Sequence, residues 1–268
     1  MTHLLAGVNL MSKVAIVIAN YNYSNYIIRA IESALDQTYD SPIRVYVVDD
    51  GSSDDSWEKI CKITEALKST SECKELYYQG PMESRSRDNI YAYRINNSGA
   101  SVARNVAMWK AWEWADIFGI LDADDEYFPE KVEQLVSKLL EYPEVGVAYA
   151  DYEIRTPVYK RHEFKPSYDR HELLKSCMVH SNALIKKEYL EKVILPNQEI
   201  FDSRLHGPAS EGFIGCTEDY DLWLRLSKIC MITHVPKLLA RANEHGNNQS
   251  LKMTGEIFQQ HAQILGSR

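Results

Sequence analysis

Three apolar runs that each end in polar side chains constrain this chain more than any other feature. They are "KVAIVIANYN" (13–22), "RVYVVDDGSSDDS" (44–56) and "DIFGILDADD" (116–125). Runs rich in β-branched residues, with no polar alternation, suit strands buried on both faces. Between the first two lies "SNYIIRAIESALDQ", which places Ile27, Ile28, Ile31, Ala34 and Leu35 on one helical face, with Ser24 or Asn25 as the expected cap. The resulting strand, helix, strand alternation predicts a parallel α/β sheet with ligand groups along the C-terminal ends of its strands.

The rest of the chain continues the pattern. A helix is expected over 58–68, followed by a long polar stretch in which "ESRSRDN" reads as a loop. "IYAYRINN" reads as a strand and "SVARNVAMWKAWEWA" as a helix. "PEKVEQLVSKLLEY" reads as a helix with Pro129 in its first turn, and "EVGVAYADYEI" as a further strand. Beyond residue 155 come a basic, Tyr-rich stretch and a polar loop around 197–217. A helix in "EDYDLWLRLSKI" follows, with Leu222, Leu226 and Ile229 as its apolar face, then an extended segment "MITHVPKLLARANEH" and a short helix in "GEIFQQHAQIL".

The formal net charge of −8 disfavours general attraction to nucleic acid or anionic membranes, although local basic patches remain. No apolar stretch reaches the roughly 18 residues of a membrane span, and "MTHLLAGVNLMSKV" lacks the build of a secretion signal, so a cytoplasmic location is expected. Five cysteines without CxxC spacing read as reduced thiols.

Chemistry concentrates at the strand ends. Asp122 and Asp124, one residue apart, point the same way on an extended chain. Such a pair suits Mg²⁺ or Mn²⁺, although a solvated turn preceding a helix would also favour acids there. No GxGxxG follows the first strand, which argues against a dinucleotide-dependent oxidoreductase.

"YNYSNYIIRAIESALDQTY", "VYVVDDGSSDDSW", "NNSGASVARNVAM", "ILDADDEYFPEKV" and "TEDYDLWLRL" occur in that order, and together they resemble the family-two glycosyltransferases of the GT-A fold over residues 13–250. The resemblance implies a Rossmann-like, mostly parallel central sheet flanked by helices, with a more variable C-terminal acceptor region. Residues 13–155 would bind the nucleotide-sugar and 156–250 the acceptor, between an N-terminal extension (1–12) and a C-terminal tail (251–268). It implies an inverting, metal-dependent enzyme that uses a nucleotide-sugar, with a UDP-sugar as the expected donor. The acceptor hydroxyl would belong to a glycan or lipid-linked sugar in surface polysaccharide assembly. Glycosylation of hydroxylated DNA bases, or a nucleotide-binding scaffold without transfer, are the alternatives.

Carried onto this sequence, Tyr21 and Asp50 become contacts to the base, and Arg104 a contact to the diphosphate or sugar or else a partner of the acids. Asp122 becomes a ribose or metal contact, Asp124 the principal metal ligand and His245 a further one. Asp219 becomes the catalytic base with Glu218 as its neighbour, Asp221 being the weaker candidate. The first strand ends "ANYN" where many relatives have Pro or Thr before the Tyr, a departure that bears on the base bound. A carboxylate near its ordinary value of about 4 is a weak base for a hydroxyl, so late proton transfer is expected.

Overall fold

The computed structural model describes residues 11–64, 68–75, 78–206, 217–246 and 248. The first half of the chain forms strands β1 (Val14–Asn20), β2 (Ile43–Asp49), β3 (Lys68–Glu75), β4 (Tyr78–Arg87), β5 (Ile90–Arg94), β6 (Ile117–Ile120) and β7 (Glu126–Tyr127). Helices α1 (Ile27–Leu35), α2 (Ser56–Thr64), α3 (Ala100–Ala111) and α4 (Lys131–Glu141) connect or follow them. The second half adds β8 (Val145–Arg155), β9 (Lys160–Glu163), α5 (Arg170–Leu173), β10 (Leu184–Lys186), α6 (Lys187–Leu190), α7 (Glu218–Leu226) and β11 (Met231–Asn243).

One sheet of eleven strands runs β3-β4-β5-β2-β1-β6-β10-β8-β11-β7, with β9 on β8. Its centre, β5-β2-β1-β6, is parallel, as the alternation predicts. β10 then inserts antiparallel between β6 and β8, and β11 runs parallel to β8. The period of two along β1 explains its unbroken apolar run: Ala15 and Val17 enter one core, Val14, Ile16 and Ile18 the other, and all five are fully buried. α3 and α7 cover the first face through Val102, Ala103, Val106, Leu222 and Trp223. α1, α2 and α4 cover the second through Ile27, Ile31, Trp57, Ile60, Leu135 and Leu139. Each fully buried aliphatic side chain contributes roughly 1.5–3 kcal/mol, so this double-sided layer dominates the stability of the sheet.

Three expectations change, and a fourth falls outside the described residues. "ESRSRDN" is not a loop: it lies largely in β4, whose residues 83–87 pair antiparallel with the free edge of β5. Backbone hydrogen bonding to that edge, rather than apolar alternation, makes it a strand. The N-cap of α1 is Tyr26, in place of Ser24 or Asn25, and makes no side-chain cap; the Ser24 N–H instead donates to Asp54 Oδ2. Leu35 at the end of α1 and Ile229 just past the end of α7, both expected on apolar faces, are exposed, and Trp223 fills the core beneath α7. The helix proposed in "GEIFQQHAQIL" lies outside the described residues.

Candidate active site

The parallel strands deliver their C-terminal ends to one cavity of about 560 Å³. It is lined by Tyr21 and Tyr23 after β1, Asp50 after β2, Arg104 on α3 and the Asp122–Asp125 turn after β6. Tyr152 on β8, Glu218 and Asp219 on α7, and Asn243 and Asn248 at the end of β11 complete that wall. Of the residues singled out from sequence, Tyr21, Asp50, Arg104, Asp122, Asp124, Glu218 and Asp219 all line this cavity, and His245 reaches it through Asp124. Asp221 does not: it is buried and holds Arg225 at 2.9 Å inside α7.

Asp50 is buried, and its carboxylate gathers the turn that starts α3. Oδ1 accepts from the Ser98 N–H at 2.7 Å; Oδ2 accepts from the Gly99 N–H at 2.9 Å and from Asn97 Nδ2 at 3.0 Å. Burial outweighs those donors and pushes the Asp50 carboxyl up to about 7. The chain can turn there because Gly51 takes φ +71°.

The "DADD" segment is not extended, contrary to the sequence argument. β6 ends at Ile120 and the chain turns, with the Asp125 N–H donating to the Asp122 carbonyl at 3.0 Å. Asp122 and Asp124 therefore have different surroundings. Asp122 accepts from Arg104 Nη2 at 2.6 Å on one oxygen and from the Ser181 hydroxyl at 2.6 Å on the other. Burial works against its charge, but Arg104, the Ser181 hydroxyl and His180 together outweigh it and hold its carboxyl below the usual range. Asp124 Oδ2 lies 3.1 Å from both His245 Nε2 and Asn248 Nδ2, and among the described residues no side chain bonds its other oxygen. Asp125 accepts from the Asn243 N–H at 3.2 Å, and burial together with Asp124 and Asp122 raises its carboxyl well above the ordinary value. Beneath this turn lies fully buried Lys131, whose ammonium donates to Asn182 Oδ1 at 3.1 Å and which burial pushes down to about 7.

Arg104 links the turn to α7. It pairs with Glu218 through Nη1 and with Asp122 through Nη2, and it is 7% exposed, so its fork is committed on both sides. Glu218 also lies 2.9 Å from His206 Nδ1. Burial opposes the Glu218 charge, yet His206 and Arg104 prevail and hold it at about 2. Asp219 is the reverse case: burial, then the Glu218 charge beside it, push it up to about 8. Its ordinary carboxylate value, assumed from sequence, is therefore corrected upward, and the group becomes a stronger base.

Among the described residues no three His, Cys, Asp or Glu side chains converge as a metal cage. The donor set nonetheless fits Mg²⁺ or Mn²⁺. These ions keep several waters and are bound through one or two carboxylates together with substrate phosphates, and Asp124 offers its carboxylate beside the His245 imidazole. Asp122, with both oxygens engaged, is better suited to orienting Arg104.

Sequence reasoning did not single out His206, Ser181, Asn243, Asn248 or the tyrosines around His245. Tyr26 stacks on the His245 ring at 4.6 Å and Tyr23 meets it edge-on at 5.6 Å. Only their position in "YNYSNY", next to a proposed base contact, could have drawn attention to these two.

The cavity, its acid-rich strand ends and the central parallel sheet now stand beside known proteins. The profile of Glycosyl transferase family 2 matches residues 15–194. The chain belongs to that family. Its curated relatives include a chondroitin synthase of Escherichia coli, 25% identical over 94% of this chain and 32% of the relative. A hyaluronan synthase of Pasteurella multocida is 25% identical over 92% of this chain and 22% of the relative. The chain thus spans a third or less of the length of these two polysaccharide synthases. Among solved structures, S. aureus TarS 1-349 in complex with UDP superposes with TM-score 0.63 at 17% identity, covering 94% of this chain and 64% of that one. A mannosyltransferase from Pyrobaculum calidifontis in complex with GDP-Man and Mn²⁺ gives TM-score 0.60 at 15% identity, covering 90% and 59%. At such identities these two establish a shared fold. Among the described residues no helix is long and apolar enough to cross a membrane.

Proposed function

We propose that this glycosyltransferase is inverting and metal-dependent, moving a sugar from a nucleotide diphosphate donor, a UDP-sugar in the first instance, to an acceptor hydroxyl during surface polysaccharide or glycan assembly. The observation that carries the reading is the placement of Asp124, Arg104 and Asp219 around one cavity, with Asp219 raised to about 8. The UDP complex of a protein with the same fold and the polysaccharide-synthase relatives support the choice of donor and setting.

In this reading Tyr21 and Asp50 contact the base, and Arg104 holds Asp122 and Glu218 so that the crevice keeps its shape beside the diphosphate. Asp124 and His245 would hold Mn²⁺ or Mg²⁺, which would supply Lewis acidity toward the charge on a departing diphosphate. Asp219 takes the proton of the acceptor hydroxyl as its oxygen bonds to the anomeric carbon. The bond from that carbon to the phosphate oxygen breaks, and its electron pair leaves with the nucleoside diphosphate. One displacement inverts the anomeric centre.

The deciding experiment incubates the purified protein with UDP-, GDP- and dTDP-sugars, with Mn²⁺ and then with excess chelator, following hydrolysis and, once an acceptor is found, the anomer formed. Metal-dependent turnover of a UDP-sugar with inversion is expected. Full activity in chelator removes the metal, a retained anomer removes the single displacement, and no binding of any donor by folded protein removes the reading itself.

A further inference from the structure

The cavity wall carries both carboxylates and cationic or aromatic side chains. Around the turn after β6 and the start of α7 the charge is carboxylate, held together by Arg104. Beside it, the wall also carries Tyr152 and Ile154 of β8, Lys165, and residues 175–177 and 179–181, of which Ser181 touches Asp122 at 2.6 Å. Lys165 and residues 175–181 fall in the 156–250 part that the sequence reading gives to the acceptor, and Tyr152 and Ile154 come from the strand that leads into it.

Lys165 is built into that wall. Its backbone N–H donates to Asp151 Oδ1 at 2.8 Å, and the same buried carboxylate oxygen lies 2.8 Å from His234 Nε2. With its backbone so anchored, the half-buried side chain carries its ammonium over the Tyr152 ring, 5.5 Å from the centroid. The His180 ring packs against that tyrosine at 4.1 Å. Nearby Lys160, Arg161 and Lys175 have carboxylate partners in Glu153, Glu244 and Glu172, whereas among the described residues no carboxylate pairs with Lys165.

His180 adds a donor. Its Nδ1 accepts from the Asn182 N–H at 3.3 Å, which leaves the ring proton on Nε2. Burial, reinforced by Lys165 and Lys131 against the pull of Asp122, keeps the imidazole neutral, down at about 4.

An aromatic face suits the apolar face of a pyranose, and a neutral imidazole N–H suits its hydroxyls. The ammonium needs a different partner. In a cavity rich in carboxylates an anionic acceptor would be repelled unless a cation met it locally, and Lys165 stands where that cation is required. We propose that Lys165, Tyr152 and His180 form an acceptor subsite for a sugar that carries an anionic group, a carboxylate or a phosphate. The assignment rests on the transfer reading above and narrows its acceptor class.

The test uses the full chain and three sugars: methyl β-glucuronoside, glucose 6-phosphate and neutral methyl β-glucoside. Binding is followed by NMR titration without nucleotide and again with UDP and Mn²⁺. At least one anionic sugar should bind roughly tenfold more tightly than the neutral one, the loss expected for one charge-assisted contact. Lys165→Gln should erase that preference, and Lys165→Arg should retain most of it, with UDP affinity the same in both variants. Comparing the two anionic sugars separates carboxylate from phosphate recognition. Equal binding of charged and neutral sugars, or a preference that survives Lys165→Gln, overturns the subsite while normal UDP binding leaves the transfer reading standing. Failure of the wild-type protein to bind UDP or another nucleotide-sugar overturns the transfer reading and the subsite with it.

Discussion

Glu218 and Asp219 are consecutive residues at the start of α7, yet the first is held at about 2 and the second driven up to about 8. The difference arises from what each faces. Glu218 meets Arg104 and His206, while Asp219 meets Glu218 and accepts from its neighbouring Tyr220 N–H at 2.7 Å. Two adjacent acids thus divide the work, one fixing charge and the other able to exchange a proton.

The rate of transfer should follow the ionisation of Asp219. In a pH profile of kcat/KM, activity is expected to rise with pH toward a plateau, with an acid limb well above the ordinary carboxylate range. Glu218→Gln removes the charge that raises Asp219 and should move that limb to lower pH. Asp219→Asn should reduce turnover by about 10²–10⁴-fold while nucleotide binding, read by calorimetry, stays close to wild type. A variant with normal turnover would take Asp219 out of the base role.

Stability without ligands should run in the opposite direction to activity. Asp50 and Asp219 are raised to about 7 and about 8, so between pH 4 and those values these two groups bind more protons in the folded chain than in the unfolded one. Urea denaturation should therefore show stability falling as pH rises through that window, and Asp219→Asn should flatten the fall. A stability that climbs from pH 5 to 8 in wild type and variant alike would contradict the raised values.

Arg104→Ala leaves Glu218 and Asp122 as buried charges without their shared partner, which should cost about 3–5 kcal/mol. Arg104→Lys keeps the charge but cannot span both carboxylates with one planar fork, so an intermediate loss is expected. Denaturant midpoints measured on both variants check the order. A Lys variant as stable as wild type would show that the bidentate geometry is unimportant.

Asp124→Ala should abolish Mn²⁺ binding in the presence of UDP, measured by electron paramagnetic resonance of the free ion. His245→Ala should weaken it by on the order of tenfold or more. Unchanged binding in both variants would place the ion elsewhere.

Gly51→Ala should destabilise the fold by about 1–3 kcal/mol, because φ is +71° there and an added Cβ would lie 2.8 Å from the Asn97 backbone nitrogen. Thermal melting of the variant measures it, and an unchanged melting temperature would mean that the turn relaxes.

The parallel centre of the sheet was legible because β1, β2 and β6 are buried on two faces and carry that burial as unbroken apolar runs. The clustering of acids at strand ends was legible for the same reason, since a parallel sheet brings those ends together. The β3–β4 pair was not, because "ESRSRDN" is ordered by an edge that only the folded sheet provides. Nor could sequence supply the partners of Arg104: Glu218 is 114 positions away and reaches it only once α7 packs on the same face as α3. The contrast between Asp122 and Asp124 was hidden too. It depends on a turn where an extended chain was assumed, and on Ser181, His245 and Asn248 arriving from distant segments.

The last stretch of β11 and the residues after it hold the "DADD" turn: Asn243 donates to the Asp124 carbonyl at 2.6 Å, and Asn248 reaches the Asp124 carboxylate across 124 positions of sequence. Contacts of such separation form late, after the loop-closure entropy has been met by the rest of the sheet. A nascent chain that has made β1, β2 and β6 therefore owns the carboxylates but not their arrangement. Competence to bind a donor becomes a property of the completed fold, gained in the same step that docks its final strand.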